Sequence, residues 1–227
     1  GAVNADGTTS DAGAVVVTAA DGDILLGNVN AIGGKGGEIT AQATHGTLLV
    51  SGSVEARGTE GKGGEIKLLG DRVGLIGNAQ VDASGETGGG SVLVGGSYQG
   101  KNPDIQNAQA TYVGPEARIV ADAVYSGSGG KIIVWSNDAT RTYGTISVQN
   151  GGRLDFAAGQ TVICNLLARN AVRITTSGPA TVIVPGNGKV KVVNGADVGG
   201  GCNALRFVAE DGMIRFGRHG DYNVDAC

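Results

Sequence analysis

The sequence contains little charge, few aromatic residues, and almost no proline or cysteine. Of its 227 residues, 17% are charged and 4% are aromatic, and there are four prolines and three cysteines. The 21 acidic and 17 basic residues are interspersed and give a net charge of −4. This distribution lacks the basic stripe that nucleic acid or an anionic membrane surface requires, so neither is an expected partner. Apolar runs stay well below the ~20 residues of a membrane-spanning helix, so we expect no transmembrane segment.

Residues that build metal and nucleophilic sites are also scarce. The two histidines, His45 and His219, and the three cysteines lack the spacing of metal ligands. No glycine-rich run followed by lysine and serine or threonine opens a helix, which excludes a phosphate-binding loop. We therefore expect no metal, no cofactor and no catalytic residue.

Glycine, in contrast, is abundant and periodic. The chain has 43 glycines and 41% hydrophobic residues, without the strict three-residue period of collagen. The hexapeptide GKGGEI occurs at 34–39 and again at 61–66. We interpret it as a corner, in which glycine supplies positive φ, followed by the first inward-facing residue of a strand.

Apolar residues that follow glycine pairs extend this repeat along the chain. Their successive intervals are 24, 27, 26 and 40 residues, counted over Val15, Ile39, Ile66, Val92 and Ile132. A second series, Val54, Val81 and Ile119, marks another strand of the same repeat. A period in the twenties with short strands is typical of a solenoid.

These intervals predict an all-β fold, a single parallel β-helix of about eight or nine coils of 24–27 residues. Residues one period apart should stack at the ~4.8 Å strand spacing. The 40-residue interval predicts an excursion near 98–116, and "NLLARNAV" is the one stretch where we expect a helical turn. The whole of 1–227 should form one continuous β-helix, because no linker rich in proline or serine interrupts it.

Part of the chain resembles a known family. The segments "VDASGETGGGSVLVGG" and "GGKIIVWS" lie within a stretch, 33–152, that is similar to filamentous haemagglutinin-type exoproteins of the two-partner secretion pathway. The resemblance implies a right-handed parallel β-helix, secretion to the exterior or cell surface of a Gram-negative bacterium, and a role in adhesion, biofilm or fibre matrix. Residues 153–227 form divergent C-terminal coils that hold all three cysteines.

Strand alternation predicts an outward apolar stripe of Leu69, Leu93, Ile133 and Trp135. Soluble proteins rarely leave such a patch bare, and the excursion that starts at Tyr98 leaves the same face. We expect Trp135 to pack beneath the excursion. The alternative is a carbohydrate platform formed with tyrosines of the chain, namely Tyr98, Tyr112, Tyr125 or Tyr143.

Carboxylates give an enzymatic alternative, because β-helical polysaccharide lyases and hydrolases carry acidic clusters on one outer face. Asp82 and Asp122 both follow an inward apolar residue before a glycine corner, and Asp138 and Asp155 are further candidates. The competing interpretation is that such carboxylates bond nearby backbone amides, as in Asx turns. We favour this structural role and expect no catalysis.

Two further expectations concern the cysteines and the ends of the rod. Cys202 and Cys227 are 25 residues apart, one coil, so stacking favours a disulfide between them, while Cys164 stays unpaired or forms an intermolecular link. Edge strands at a β-helix end must be capped, charged or paired. Asp6 and Asp11 near the start and Arg215 and Arg218 near the end suit head-to-tail association into a filament, with acid at one end meeting base at the other. The alternative is that these four charges protect the edges and keep a monomer soluble.

Overall fold

The structure is a computed structural model of the chain. It describes residues 2–156, 159–163, 165–176, 180–184, 189–193, 197–198, 205–209 and 213–216. These residues form a parallel β-solenoid, as the glycine-spaced apolar series predicted. The one helical element among them is a 3₁₀ turn at Tyr98–Gly100, and no helix in these ranges could span a membrane.

The strands are short, and each follows the last around the rod. In chain order they are β1 (Ala2–Asn4), β2 (Ala14–Ala19), β3 (Ile24–Leu26), β4 (Asn28–Asn30), β5 (Glu38–Val50), β6 (Ser53–Glu55), β7 (Glu65–Leu75), β8 (Gln80–Asp82), β9 (Ser91–Val94), β10 (Ala110–Val113), β11 (Arg118–Val120), β12 (Lys131–Val134), β13 (Ala139–Thr142), β14 (Thr145–Gln149), β15 (Arg153–Phe156), β16 (Gly159–Val162), β17 (Asn165–Arg169), β18 (Arg173–Thr176), β19 (Ala180–Val184), β20 (Lys189–Val193), β21 (Asp197–Val198), β22 (Leu205–Ala209) and β23 (Met213–Phe216).

The solenoid has three faces. Face 1 is a nine-stranded sheet of β1, β4, β6, β8, β11, β14, β17, β20 and β23. Face 2 contains β2, the first halves of β5 and β7, then β9, β12, β15, β18 and β21. Face 3 contains β3, the second halves of β5 and β7, then β10, β13, β16, β19 and β22. The described residues make about seven turns, slightly fewer than the eight or nine coils predicted for the chain.

The predicted stacking register is confirmed. On face 2, Val15 pairs with Ile39, which pairs with Ile66, and the series continues through Val92 to Ile132. On face 1, Val54, Val81 and Ile119 stack in the same way. All of these side chains lie in one buried hydrophobic core.

The glycine pairs occupy the predicted corners, but the reason given for them was wrong. No glycine of either GKGGEI copy has a positive φ. Instead, a Cβ at Gly37 or Gly64 would collide with the backbone carbonyl oxygen of the coil before it, Gly13 or Gly37 respectively. Glycine is needed because adjacent coils approach closely at this corner.

The end of the excursion and the conformation of "NLLARNAV" also differ from the expectations. The excursion is closed by a hydrogen bond of 2.6 Å from the Ala108 amide to the Gly95 carbonyl. It therefore ends before Ala110–Val113, which is the regular face 3 strand β10. The expected helical turn in "NLLARNAV" is absent, because Asn165–Arg169 forms strand β17 and pairs with β14 and β20.

Candidate functional site

The outward apolar stripe lies on face 2 beneath the excursion. Leu93 and Ile133 are register partners, and Leu69 lies two coils before Trp135. Leu69, Leu93 and Ile133 are buried, at 3%, 6% and 1% exposure, whereas Trp135 is half-buried. The excursion thus covers the aliphatic part of the stripe.

Two glycines allow the excursion to lie directly on the indole of Trp135. A Cβ at Gly96 would meet Trp135 Cδ1 at 2.7 Å, and one at Gly100 would meet Cζ2 and Nε1 at 3.2 Å. Gly100 also has φ of +63°, which glycine adopts without a Cβ penalty. The backbone carbonyl of Trp135 accepts a 2.7 Å hydrogen bond from Thr111 Oγ1. Trp135 is therefore positioned by contacts to both the excursion and β10.

Side-chain hydrogen bonds hold the excursion in its fold. Asn107 Oδ1 accepts from the Ser97 amide at 3.1 Å, and Asn107 Nδ2 donates to the Gly100 carbonyl at 3.0 Å. Gln106 Nε2 donates at 2.7 Å to the carbonyl of Thr44, two coils away. Sequence periodicity located the extra residues but not these contacts, since a single insertion leaves no repeat to compare.

Tyr98 begins the excursion, and its ring contacts an arginine of β15, two coils further on, that is ion-paired with an aspartate. The Arg153 guanidinium lies 4.3 Å from the Tyr98 ring centroid, and Arg153 Nε lies 2.9 Å from Asp155 Oδ2. Burial lowers the pKa of Arg153, but its hydrogen bond and ion pair with Asp155 and its contact with Tyr98 outweigh burial and raise that pKa. Thr175 Oγ1 also donates to Asp155. Asp155 therefore completes a structural cluster at the end of the apolar stripe.

A cleft of about 450 Å³ remains between the excursion and face 2. Its walls include Tyr98 and Lys101 from the excursion, and Lys67 and Lys131 from the sheet. Lys67 Nζ is paired with Glu65 at 2.7 Å. The cleft is thus polar at its rim and apolar at Leu93 on its floor.

The other predicted aromatic platform residues are distributed over the surface. Tyr112 and Tyr143 form a pair on face 3, with ring centroids 5.8 Å apart and planes tilted by 56°. Tyr125 is 86% exposed and makes no aromatic contact with any described residue. Tyr98 lies on face 2, so the structure does not bring the four tyrosines together.

The carboxylate candidates make local hydrogen bonds. Asp82 Oδ1 accepts from the Ser84 amide at 2.8 Å, the Asx pattern that the structural interpretation described. Asp122 accepts from Ser147 Oγ at 2.9 Å and from Gln149 Nε2 at 2.8 Å. Both line one cleft of about 280 Å³, while Asp138 is exposed elsewhere. Within the described ranges, no group of three or more histidine, cysteine or acidic side chains could hold a metal ion.

The residues predicted at the ends are partly described. Asp6 Oδ1 accepts from the Ile32 amide at 2.7 Å, and Asp11 contacts both the amide and the ammonium group of Lys35. Each carboxylate thus caps an amide one coil further on. Arg215 lies in β23 and pairs in register with Lys191. Arg218, Cys202, Cys227 and Cys164 lie outside the described residues, so the disulfide stays a prediction.

Comparisons with known proteins give no relative for this chain. No family model matches the sequence, and neither a curated protein nor a solved structure matches it.

Proposed function

We propose that this β-solenoid is an extracellular structural and adhesive protein of the filamentous haemagglutinin type, without catalytic activity. The observation that carries the proposal is the regular stacking of coils throughout 33–152, the stretch that resembles these exoproteins. Such stacking turns each face into columns of side chains one strand spacing apart. A repetitive surface of this kind suits adhesion to a repetitive ligand such as a polysaccharide.

The hydrogen bonds of the carboxylates support the non-catalytic part of the proposal. Asp82 and Asp122 accept hydrogen bonds from the chain's own groups, as side chains that stabilise corners do. A polysaccharide lyase or hydrolase is the alternative, because the two carboxylates share a cleft with Glu86. Incubation with polyuronate and calcium separates the two: we expect no new reducing ends or unsaturated products, and product formation abolished by Asp122→Asn would establish the enzyme.

Surface labelling of the source bacterium tests the location. We expect antibodies raised against the purified chain to label intact cells, and external protease to remove the signal. A cytoplasmic protein, detected only after permeabilisation, serves as the control. Labelling that also requires permeabilisation would contradict the extracellular role.

A head-to-tail filament is a second candidate, favoured by acidic residues in the early coils and basic residues in later coils of one column of face 2. Glu38 stacks on Glu65 in the early coils, and Lys131, Arg153 and Arg173 stack in later coils, before Asp197, the last described member of the column. Opposite charges in the early and later coils would attract one copy to the next.

Sedimentation of the purified chain over a range of concentrations tests this candidate. We expect larger species at higher concentration, and their loss in an Arg215→Asp, Arg218→Asp variant. Arg118→Asp, an exposed change in mid-rod, is the control and should leave association intact. A monomer at every concentration would eliminate the filament.

A further inference from the structure

Face 3 carries a groove that the sequence patterns did not indicate. Its volume is about 230 Å³, and its lining includes Leu49, Gly74 and Tyr112 together with two arginines, Arg72 and Arg141. Leu49, Gly74, Tyr112 and Arg141 form one outward column, because they are successive register partners. Gly74 has no side chain, and Leu49 Cδ2 lies 2.8 Å from where a Cβ would be, so Leu49 covers the buried glycine and borders the groove.

The groove extends across the neighbouring column. Ala110 is the register partner of Arg72 and lies two residues before Tyr112 on the same strand. Alternation places Tyr112 and Ala110 on the outer surface, since Thr111 between them is buried. Tyr112 is 39% exposed and is supported from one side by the ring of Tyr143. The groove thus has a small-residue floor and a fixed aromatic wall.

The two arginines stand at opposite corners of this floor. They are two coils and two residues apart in register, which places their Cα atoms about 12 Å apart at the usual strand spacing and rise. Both side chains are exposed, and neither pairs with a carboxylate among the described residues. The nearest acidic residues in sequence, Asp71 and Asp138, each precede a groove residue without binding either guanidinium. Both guanidinium groups are therefore available to a ligand over Ala110.

We propose that this groove binds one carboxylated sugar ring, a uronate unit of an acidic polysaccharide. The apolar face of a pyranose would lie on Tyr112, and the arginine fork matches the two oxygens of a carboxylate in spacing and plane. A neutral sugar would leave both guanidinium groups without a partner, and a sulfated sugar would present three oxygens instead of a planar pair. This inference rests on the proposed adhesive role, and it specifies the class of ligand to which the protein would adhere.

Titration calorimetry of the whole chain with trigalacturonate tests the proposal, with neutral and sulfated galactose oligosaccharides as comparison ligands. We expect trigalacturonate to bind about tenfold more tightly than the neutral ligand, the effect of one charge-assisted contact. Tyr112→Ala should weaken binding about tenfold, and Arg72→Gln with Arg141→Gln should weaken it at least as much. Raised salt should weaken binding too.

Two matched variants separate the groove from general surface effects. Tyr125→Ala removes a more exposed tyrosine, and Arg118→Gln removes an exposed arginine of face 1. Both should bind trigalacturonate as the unaltered chain does, and dichroism should show that every variant retains its β structure. Equal binding of the neutral ligand, tighter binding of the sulfated one, absence of binding, or equal loss in the control variants would each overturn the proposal. The surface labelling of cells is independent, so the adhesive role can stand if the uronate groove fails.

Discussion

At the scale of single residues, glycine occupies the corner positions where the backbones of adjacent coils approach closely. At the corner between faces 1 and 2, the Gly64 amide donates to the Ala56 carbonyl of its own coil at 2.7 Å. The Gly64 carbonyl accepts from the Ser91 amide of the next coil at 2.9 Å. Gly37, Gly90 and Gly130 repeat this arrangement with their own partners. The corner is thus cross-linked within and between coils, and a side chain would separate them.

Substituting one of these glycines should destabilise the rod. In Gly64→Ala, the added Cβ would overlap the carbonyl of Gly37 and force the coils apart. We expect the free energy of unfolding to fall by about 1–3 kcal/mol, the usual cost of overpacking. Denaturant unfolding measures it. Gly27→Ala is the matched control because it has nothing within 4 Å, and an equal effect of both substitutions would contradict the close-approach explanation.

A second residue-scale prediction concerns acid. The hydrogen bonds from the side chain and the backbone amide of Lys35 lower the pKa of Asp11 below its ordinary value. A lowered folded-state pKa contributes stability above the unfolded-state pKa, and this contribution is lost as the pH falls through the folded-state value. We expect a carboxyl NMR titration to show Asp11 below ordinary aspartates, and Lys35→Met to raise its midpoint. An unchanged midpoint in that variant would refute the assignment.

At the scale of elements, the excursion covers the apolar stripe and is held together by its own hydrogen bonds. Ser97 is buried at 5% exposure, and its Oγ accepts from the Asn102 amide at 3.2 Å. The excursion therefore has polar contacts within itself and apolar contacts with the stripe below. Its position explains why an apolar column can face outward from a solenoid without being exposed.

Opening the excursion should be visible through the single tryptophan of the chain. Asn107→Ala removes the contacts to Ser97 and Gly100 that shape the loop over the indole. We expect red-shifted fluorescence of Trp135 and increased quenching by acrylamide, with local stability reduced by about 1–3 kcal/mol. Asn78→Ala, at an exposed corner, should change neither. Unaltered quenching in the Asn107 variant would show that these hydrogen bonds do not hold the cover.

At the scale of the whole molecule, parallel register makes neighbouring coils interdependent. Each inward residue stacks on its equivalent one turn away, so the core is continuous along the axis. The same register stacks like charges, as for Glu38 on Glu65, and here the neighbouring Lys67 pairs with Glu65. Charge placement along the axis is thus a property of the repeat as well as of single residues.

The disulfide expected between Cys202 and Cys227 belongs to this scale, because it would link consecutive coils. Non-reducing peptide mapping should find these two cysteines joined and Cys164 outside the pair. Reduction should lower the midpoint of unfolding, since a crosslink of 25 residues is worth about 3 kcal/mol in the chain-entropy account. Three free thiols, or a bond to Cys164, would contradict the expectation.

The sequence predicted the solenoid because its signal is repeated many times. Val15, Ile39 and Ile66 occupy the same slot in successive coils, and each recurrence adds to the evidence. Strand β17 was mistaken for a helical turn because its segment lies where the glycine corners become irregular. Local propensity decides little there, since pairing with β14 and β20 determines the conformation.

The sequence by itself determined the all-β class, the stacking register and the place of the excursion, because residues one turn apart occupy equivalent positions and so repeat the same residue types. Only the tertiary structure decided why the corners need glycine, which polar groups hold the excursion, and that Arg72 and Arg141 line one groove with Tyr112. Residues 72, 112 and 141 fall at unequal intervals because the excursion lies between two of them. Their proximity depends on the folded path of the chain, which no fixed period encodes.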